Sequence, residues 1–389
     1  MTTGNYLHLP FFENSHRQLK STVESWAEKS LTPLMNTIET QDVNDQCRQF
    51  IKLLSTANIL DRCLPGSNNE INKVDLRAIS VIRETLAYYS DLADFSFAIQ
   101  GLSTIPISMN GTEQQKETYV TPSLNGEKIG AFALSEPAVG TDVSSITTSA
   151  TIDGDHFILQ GIKTWTSLAE IADYFIVFAR VNNLPSALGI AAFIVDATHH
   201  GVEVSERIEL IEPRPFSSVS FNQCRLHKSA MLGQPGKGFK IAMETLDLLR
   251  PTVGAAAIGF AHRALDEAIT WCQTRKVGNQ LLMDMQLTQA RLADMAVSLD
   301  ASALLVYRSA WQHDTHSSSF TAESAMAKLY ATETAQKIID DALQLFGARG
   351  VVSGFVVEKL YRQIRSLRIY EGTSEIQKLI IARQLLLKK

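Results

Sequence analysis

The chain has 389 residues, of which 45% are hydrophobic and 20% charged, enough for two or three domains around large buried cores. Its formal net charge of −5, with no long basic run, gives nucleic-acid binding little support. The four cysteines are scattered without CxxC or CxxxC spacing, which argues against a metal site or a disulfide framework and fits a reducing compartment.

The first ten residues lack a charged start followed by an apolar run, and they are not an Arg-rich amphipathic leader. No stretch reaches the ~18 uninterrupted apolar residues of a membrane span, so no membrane partner is expected. A cytoplasmic enzyme or binding protein is expected.

From about residue 18 to 119 the apolar spacing is helical, carried by Leu19, Val23, Trp26, then Phe50, Leu53, Leu54, then Ile79, Ile82, Leu86. A polar break falls at residues 66–69. Residues 94–99 read as buried helix, and 111–119 as a short exposed one. At residue 129 the character changes. Two alternating runs flank Asp153-Gly154-Asp155 and predict a β-hairpin, and residues 174–179, 191–195 and 219–226 read as buried strands. Helical spacing returns after Gly238, with long helices predicted over 239–275, 286–312, 321–346 and 375–387. The fold class is therefore α+β, mainly α. It comprises an N-terminal helical domain (1–128), a middle β-domain (129–232) and a C-terminal helical domain (233–389).

Four segments invite a chemical reading. Ser135-Glu136-Pro137 with Gly140-Thr141-Asp142 is either a polar turn after a strand or a loop whose glycine lets backbone approach a ligand. Trp165 beside Ser167 is either a core tryptophan or a flat face for a ring. Residues 344–350 read as a helix stop. Tyr370-Glu371-Gly372-Thr373 places a carboxylate just ahead of Ser374 and Gln377, which have capping-box spacing. Spacing alone leaves Glu371 as either a surface carboxylate or a side chain aimed into a cleft. Arg250, in Leu248-Leu249-Arg250-Pro251, is either a buried ion-pair partner or a solvent-facing cap. The nine histidines, including His199-His200, His313 and His316, lack a third ligand at suitable spacing, so no metal is expected.

Taken together, in order, these segments resemble the acyl-CoA dehydrogenase family of flavoproteins over nearly the whole chain. The resemblance implies a middle domain that is β-barrel-like and a C-terminal four-helix bundle. It implies FAD as cofactor, an acyl-CoA substrate, an electron-transfer flavoprotein as partner, and a homotetramer or homodimer in fatty acid metabolism. It assigns Glu371 as the catalytic base. The flavin contacts it implies are Phe132, Leu134, Ser135, Gly140, Thr141, Trp165, Ser167, Arg275, Gln286, Gln344, Gly347, Ala348, Thr373 and Glu375. Thr141, Asp247, Arg250 and Gly372 are implied near the substrate. Some relatives carry the base just before the Arg-Pro pair, where this chain has Leu249, which cannot serve.

The chain departs from the family pattern in a few places. Ser167 stands where Thr is usual and Ala348 where Gly is usual. Gly278-Asn279 replace a Phe-Gly pair, and the usual turn is replaced around residues 64–69. Alternative outcomes on the same fold are an acyl thioester oxidase, a dehydrogenase of carrier-protein-bound acyl groups, or a non-catalytic flavin-binding member.

Overall fold

The computed structural model describes residues 5–63, 74–181, 186–316 and 320–387; the departures at residues 64–69 lie outside them. Helices α1 (Asn14–Trp26), α2 (Thr32–Ile38), α3 (Val43–Thr56), α4 (Leu76–Tyr89), α5 (Asp91–Asn110), α6 (Glu113–Gln115) and α7 (Thr121–Leu124) come first. Strands β1 (Gly130–Ala133), β2 (Ser149–Asp153), β3 (His156–Ser167), β4 (Tyr174–Val181), β5 (Ile190–Asp196), β6 (Val202–Arg207), β7 (Phe216–His227) and β8 (Met231–Leu232) follow. Then come α8 (Gly238–Thr274), a hairpin of β9 (Lys276–Val277) and β10 (Gln280–Leu281), α9 (Gln286–Thr315), α10 (Thr321–Phe346), α11 (Val356–Leu367) and α12 (Ser374–Leu387). The long helices match the periodicity closely. Residues 111–119 differ: α6 passes into a wider π-type turn over Lys116–Val120 and then into α7. Helix α11 and strand β6 add to the elements read from spacing.

The chain divides into two compact units. One comprises Met1–Asn36, Leu76–Asp94 and Asp247–Lys389; the other comprises Thr37–Asp75 and Phe95–Leu246.

The second unit is built on one sheet of eight strands, in the order β6-β7-β3-β2-β4-β5-β8 with β1 beside β4. The predicted hairpin is there: Asp153 pairs with His156, leaving Gly154-Asp155 as the turn. Strand β4 shows why its sequence is unbroken apolar. Phe175, Val177 and Ala179 enter one buried cluster, while Tyr174, Ile176 and Phe178 enter another. A strand buried on both faces has no polar alternation to show. Phe157, Leu159, Val219 and Phe221 of β3 and β7 join the first cluster, so the sheet folds around a shared core. Its ends, β6 and β8, are not paired with each other among the described residues.

The first unit is a helical bundle whose close packing follows from small residues. Ala257, Ala261 and Ala264 of α8 meet Val306 of α9 and Ala327 and Ala331 of α10 in one cluster. A Cβ on Gly259 would sit 2.3 Å from the Glu84 carbonyl, so α4 and α8 approach as only glycine allows. Pro251, inside α8, has no N–H to offer the carbonyl four residues back. That carbonyl, on Asp247, takes a hydrogen bond from Ser324 Oγ of α10 at 2.7 Å instead.

Candidate active site

Glu371 lies on the six-residue connection between α11 and α12, in the helical unit. Its φ is 55° and that of Gly372 is 93°, two successive left-handed residues. For a non-glycine residue this conformation costs roughly 1 kcal/mol or more and persists only when neighbours hold it. Three side chains do so. The Glu371 carbonyl accepts from Arg250 Nε at 3.1 Å and from Gln377 Nε2 at 3.2 Å. The Gly372 carbonyl accepts from Lys328 Nζ at 2.8 Å and from Gln377 Nε2 at 2.9 Å. Glycine is required at 372, where a Cβ would meet Gln377 Nε2 at 2.6 Å.

This corrects the capping-box expectation. Gln377 is turned back onto the two carbonyls, and Ser374 Oγ bonds Glu333 instead. Thr373 accepts the weak cap bond from Ile376 N.

The turn aims the Glu371 carboxylate inward. Its Oε2 is buried and has no hydrogen-bond partner. Burial pushes the carboxyl above its ordinary pKa, opposed by the positive charges of Arg83, Lys328 and Arg250 and reinforced by Asp94. Two of these cations are neutralised at short range. Arg83 of α4 grips Asp94 of α5 through Nε at 2.9 Å and Nη2 at 2.8 Å, and donates to Thr252 Oγ1 at 3.0 Å. Arg250 pairs with Asp247 one turn earlier on α8 and is 5% exposed, which makes it the buried ion-pair partner of the two readings. Asp247 also accepts from Thr321 Oγ1 at 3.1 Å. Leu249 is buried beside them. A carboxylate with a raised pKa and a free buried oxygen is suited to accept a proton near neutral pH.

In the β unit, the loop after β1 is folded around Glu136. Its carboxylate accepts from Lys163 Nζ and Thr148 N at 2.8 Å, and from Thr147 N and Oγ1 at 2.7 Å. Ser135 is tied to β3 by Thr164 N donating to its carbonyl at 2.9 Å. Phe132 packs on Phe178 with ring centroids 4.9 Å apart, and Leu134 is buried. Gly140 and Thr141 are exposed at the loop tip, and a Cβ at 140 would meet nothing within 4 Å. The β3–β7 register shifts between Lys163 and Thr166, and at that irregularity Trp165 takes φ 57°. The bulge turns the indole outward, 54% exposed, so it is not a core tryptophan. Ser167 is half-buried two residues on, and the neighbouring Thr166 Oγ1 is buried without a partner.

Back in the helical unit, Trp271 gathers two of the expected cofactor segments. The Arg275 guanidinium lies 5.7 Å from its ring centre and that of Arg349 lies 5.4 Å away. Phe346 stacks on Trp271 at 4.9 Å, and the Trp271 Nε1 donates to the Leu345 carbonyl at 3.1 Å. Gln344, Gly347 and Ala348 are exposed on the turn that ends α10, where Gly347 has φ 60°. Gln286 is the exposed first residue of α9. Gly278-Asn279 form the two-residue turn between β9 and β10, with Gly278 at φ 61°. Glu375 is exposed on the first turn of α12.

Sequence reading passed over Lys328 and Arg83, took Asp94 only as the start of a buried helical segment, and gave Gln377 a capping role. Lys328 stands in Ala325-Met326-Ala327-Lys328-Leu329, on the face that carries Ala331 and Ala335 into the core. A charged residue on such a stripe was the available signal.

Family models for the N-terminal, middle and C-terminal domains of acyl-CoA dehydrogenase match residues 13–127, 131–224 and 236–386. The chain is 35% identical over 384 residues to the mitochondrial short-chain specific acyl-CoA dehydrogenase of Mus musculus, covering 96% of this chain and 90% of that protein. It is 33% identical over 392 residues to the caffeyl-CoA reductase-Etf complex subunit CarC of Acetobacterium woodii, with 97% and 100% covered. Among solved structures, the FAD complex of PigA superposes with a TM-score of 0.88 at 26% identity, over 97% of this chain and 99% of that one. The order of the matched domains is helical, β, helical, on an α+β fold that is mainly α. The chain belongs to the acyl-CoA dehydrogenase family of FAD-dependent oxidoreductases.

Proposed function

We propose that Glu371 removes the proton from the carbon next to the thioester carbonyl of an acyl-CoA, in an oxidation that yields the 2,3-enoyl thioester. The observation that carries this reading is the turn itself: a buried carboxylate oxygen without a partner, on a left-handed residue whose carbonyl is held by Arg250 and Gln377. The residues of the β unit fit a flavin. Trp165 offers an outward indole face, Thr166 Oγ1 is buried and unpartnered, and the backbone at Gly140 is open. Phe132, Leu134, Ser135, Gly140, Thr141, Trp165 and Ser167 would hold the ring end of FAD. Arg275, Gln286, Gln344, Gly347, Ala348, Thr373 and Glu375 would hold FAD contacts from the helical unit. When bound, FAD supplies the acceptor for the hydride lost from the adjacent carbon.

Asp247, Arg250, Gly372 and Thr141 are assigned to the substrate. Electrons then leave to an electron-transfer flavoprotein, a partner supported by the Etf-complex subunit among the relatives. We assign domain boundaries at residues 1–128, 129–232 and 233–389, a homotetramer or homodimer, a cytoplasmic location and a place in fatty acid metabolism.

Anaerobic titration of the purified protein with a panel of acyl-CoAs, read by flavin absorbance, tests the function. Bleaching by one chain class supports it. A flavin-loaded protein that no acyl-CoA bleaches, but a carrier-bound acyl group does, favours the carrier-linked alternative.

A further inference from the structure

Three cations act on the Glu371 carboxylate, two of them, Arg250 and Lys328, through side chains that bond the carbonyls of its turn, and they differ in one respect. Arg83 is matched by Asp94 and Arg250 by Asp247. Lys328 has no salt bridge among the described residues. It is fully buried on α10, and its ammonium makes one hydrogen bond, to the Gly372 carbonyl at 2.8 Å. Gln377, also fully buried, shares that carbonyl and cannot supply charge.

We infer that Lys328 is a positioning residue for the base: its ammonium fixes the Gly372 carbonyl of the left-handed turn and supplies the uncompensated positive charge that keeps Glu371 ionised. This rests on the reading of Glu371 as the base. The groups facing Glu371 are Arg83, Lys328 and Arg250, with Asp94 behind Arg83 and Asp247 behind Arg250. Those facing Lys328 are Glu371, Arg250, Glu333 and Glu375. Glu333 is in turn held by Arg368, and Glu375 lies near Lys378 and Arg368. Burial brings the Lys328 ammonium down to about 8, with Glu371 as the main opposing influence, so its charge is intact at neutral pH and is lost above that value.

The test uses FAD-loaded Lys328→Met and Lys328→Gln, with anaerobic single-turnover flavin reduction by butyryl-CoA as the probe across pH. Removing a positive charge beside a carboxylate raises its pKa, so in both variants the acid limb should move to higher pH by about one unit. Lys328→Gln, which keeps a donor for Gly372, should retain more of the plateau rate than Lys328→Met. Substrate affinity should stay near wild type. A rate lowered equally at all pH values with an unmoved limb would reduce Lys328 to a structural part and overturn the inference.

Should neither variant retain FAD, the wild-type holoenzyme decides, through the infrared carboxyl band absent from Glu371→Gln. The inference requires that band to be missing at pH 7; its presence contradicts the inference. If Glu371→Gln itself reduces flavin at the wild-type rate, it is the base assignment that fails, independently of where the Lys328 limbs fall.

Discussion

At the scale of single residues, the proposed chemistry rests on one carboxylate, that of Glu371, whose Oε2 is buried and which is aimed by its own backbone. Burial raises the Glu371 pKa, and the nearby cations limit the rise. A carboxylate in the proposed role of base works only when ionised. The rate of flavin reduction by acyl-CoA should therefore fall as pH drops through that raised value, with its midpoint above the ordinary range of about 4.3 for a glutamate. A pH profile of the single-turnover rate checks this; a midpoint at or below the ordinary value would mean that the carboxyl is solvated. For Glu371, spacing showed only the turn, where Gly372 takes φ 93° and Ser374 opens a helix, and the family resemblance singled out the carboxylate. Lys328 was legible only as a charge on an apolar stripe; its contact with Gly372 joins residues 44 positions apart and has no local sign. Gln377 was legible as a polar residue near a helix start, yet local spacing gave it the wrong partner.

At the scale of elements, the Glu136–Lys163 pair joins the loop after β1 to β3 and so sets where Ser135 and Trp165 lie. Burial alone would raise the Glu136 pKa, but Lys163 and the Thr147 and Thr148 donors bring it down to about 2. A carboxylate depressed in the folded state contributes stability above its unfolded pKa, which is lost as pH falls from there toward about 2. Glu136→Gln leaves the Lys163 ammonium buried without its counter-charge. It should destabilise the protein by about 3 kcal/mol at neutral pH, read as a lower urea midpoint. A midpoint within error of wild type would mean that the pair is not a strut for the loop. The strands were legible where they are apolar on both faces, as in β4 and β5. The bulge at Trp165 was not, since its outward turn depends on the register with β7 rather than on local composition. Helix α11 carries the stripe Val357, Leu360, Ile364, Leu367, buried as spacing would predict, and was legible although passed over.

At the scale of the whole molecule, the order helix, sheet, helix followed from the change of period at residue 129 and its return after Gly238. The two compact units cut across that order, because α4 belongs with the C-terminal helices. That grouping depends on contacts such as Tyr307 to Glu84 and Arg77 to Asp314, which no local pattern announces. No helix among the described residues is long and apolar enough to cross a membrane. Arg275, held over Trp271 and without a carboxylate partner among the described residues, is available to an anionic group such as a pyrophosphate. Arg275→Ala should lower the FAD retained after gel filtration several-fold while leaving the melting temperature of the apoprotein near wild type. Unchanged FAD content would remove Arg275 from the cofactor site.

The central claim, that Glu371 is the proton acceptor, is tested most directly by mixing FAD-loaded Glu371→Gln anaerobically with an acyl-CoA that bleaches the wild-type enzyme. The substitution keeps the shape and removes the basic oxygen. The flavin should stay bound and oxidised, with its reduction slowed at least about a hundredfold, the lower range of general-base contributions. Bleaching at the wild-type rate would contradict the claim.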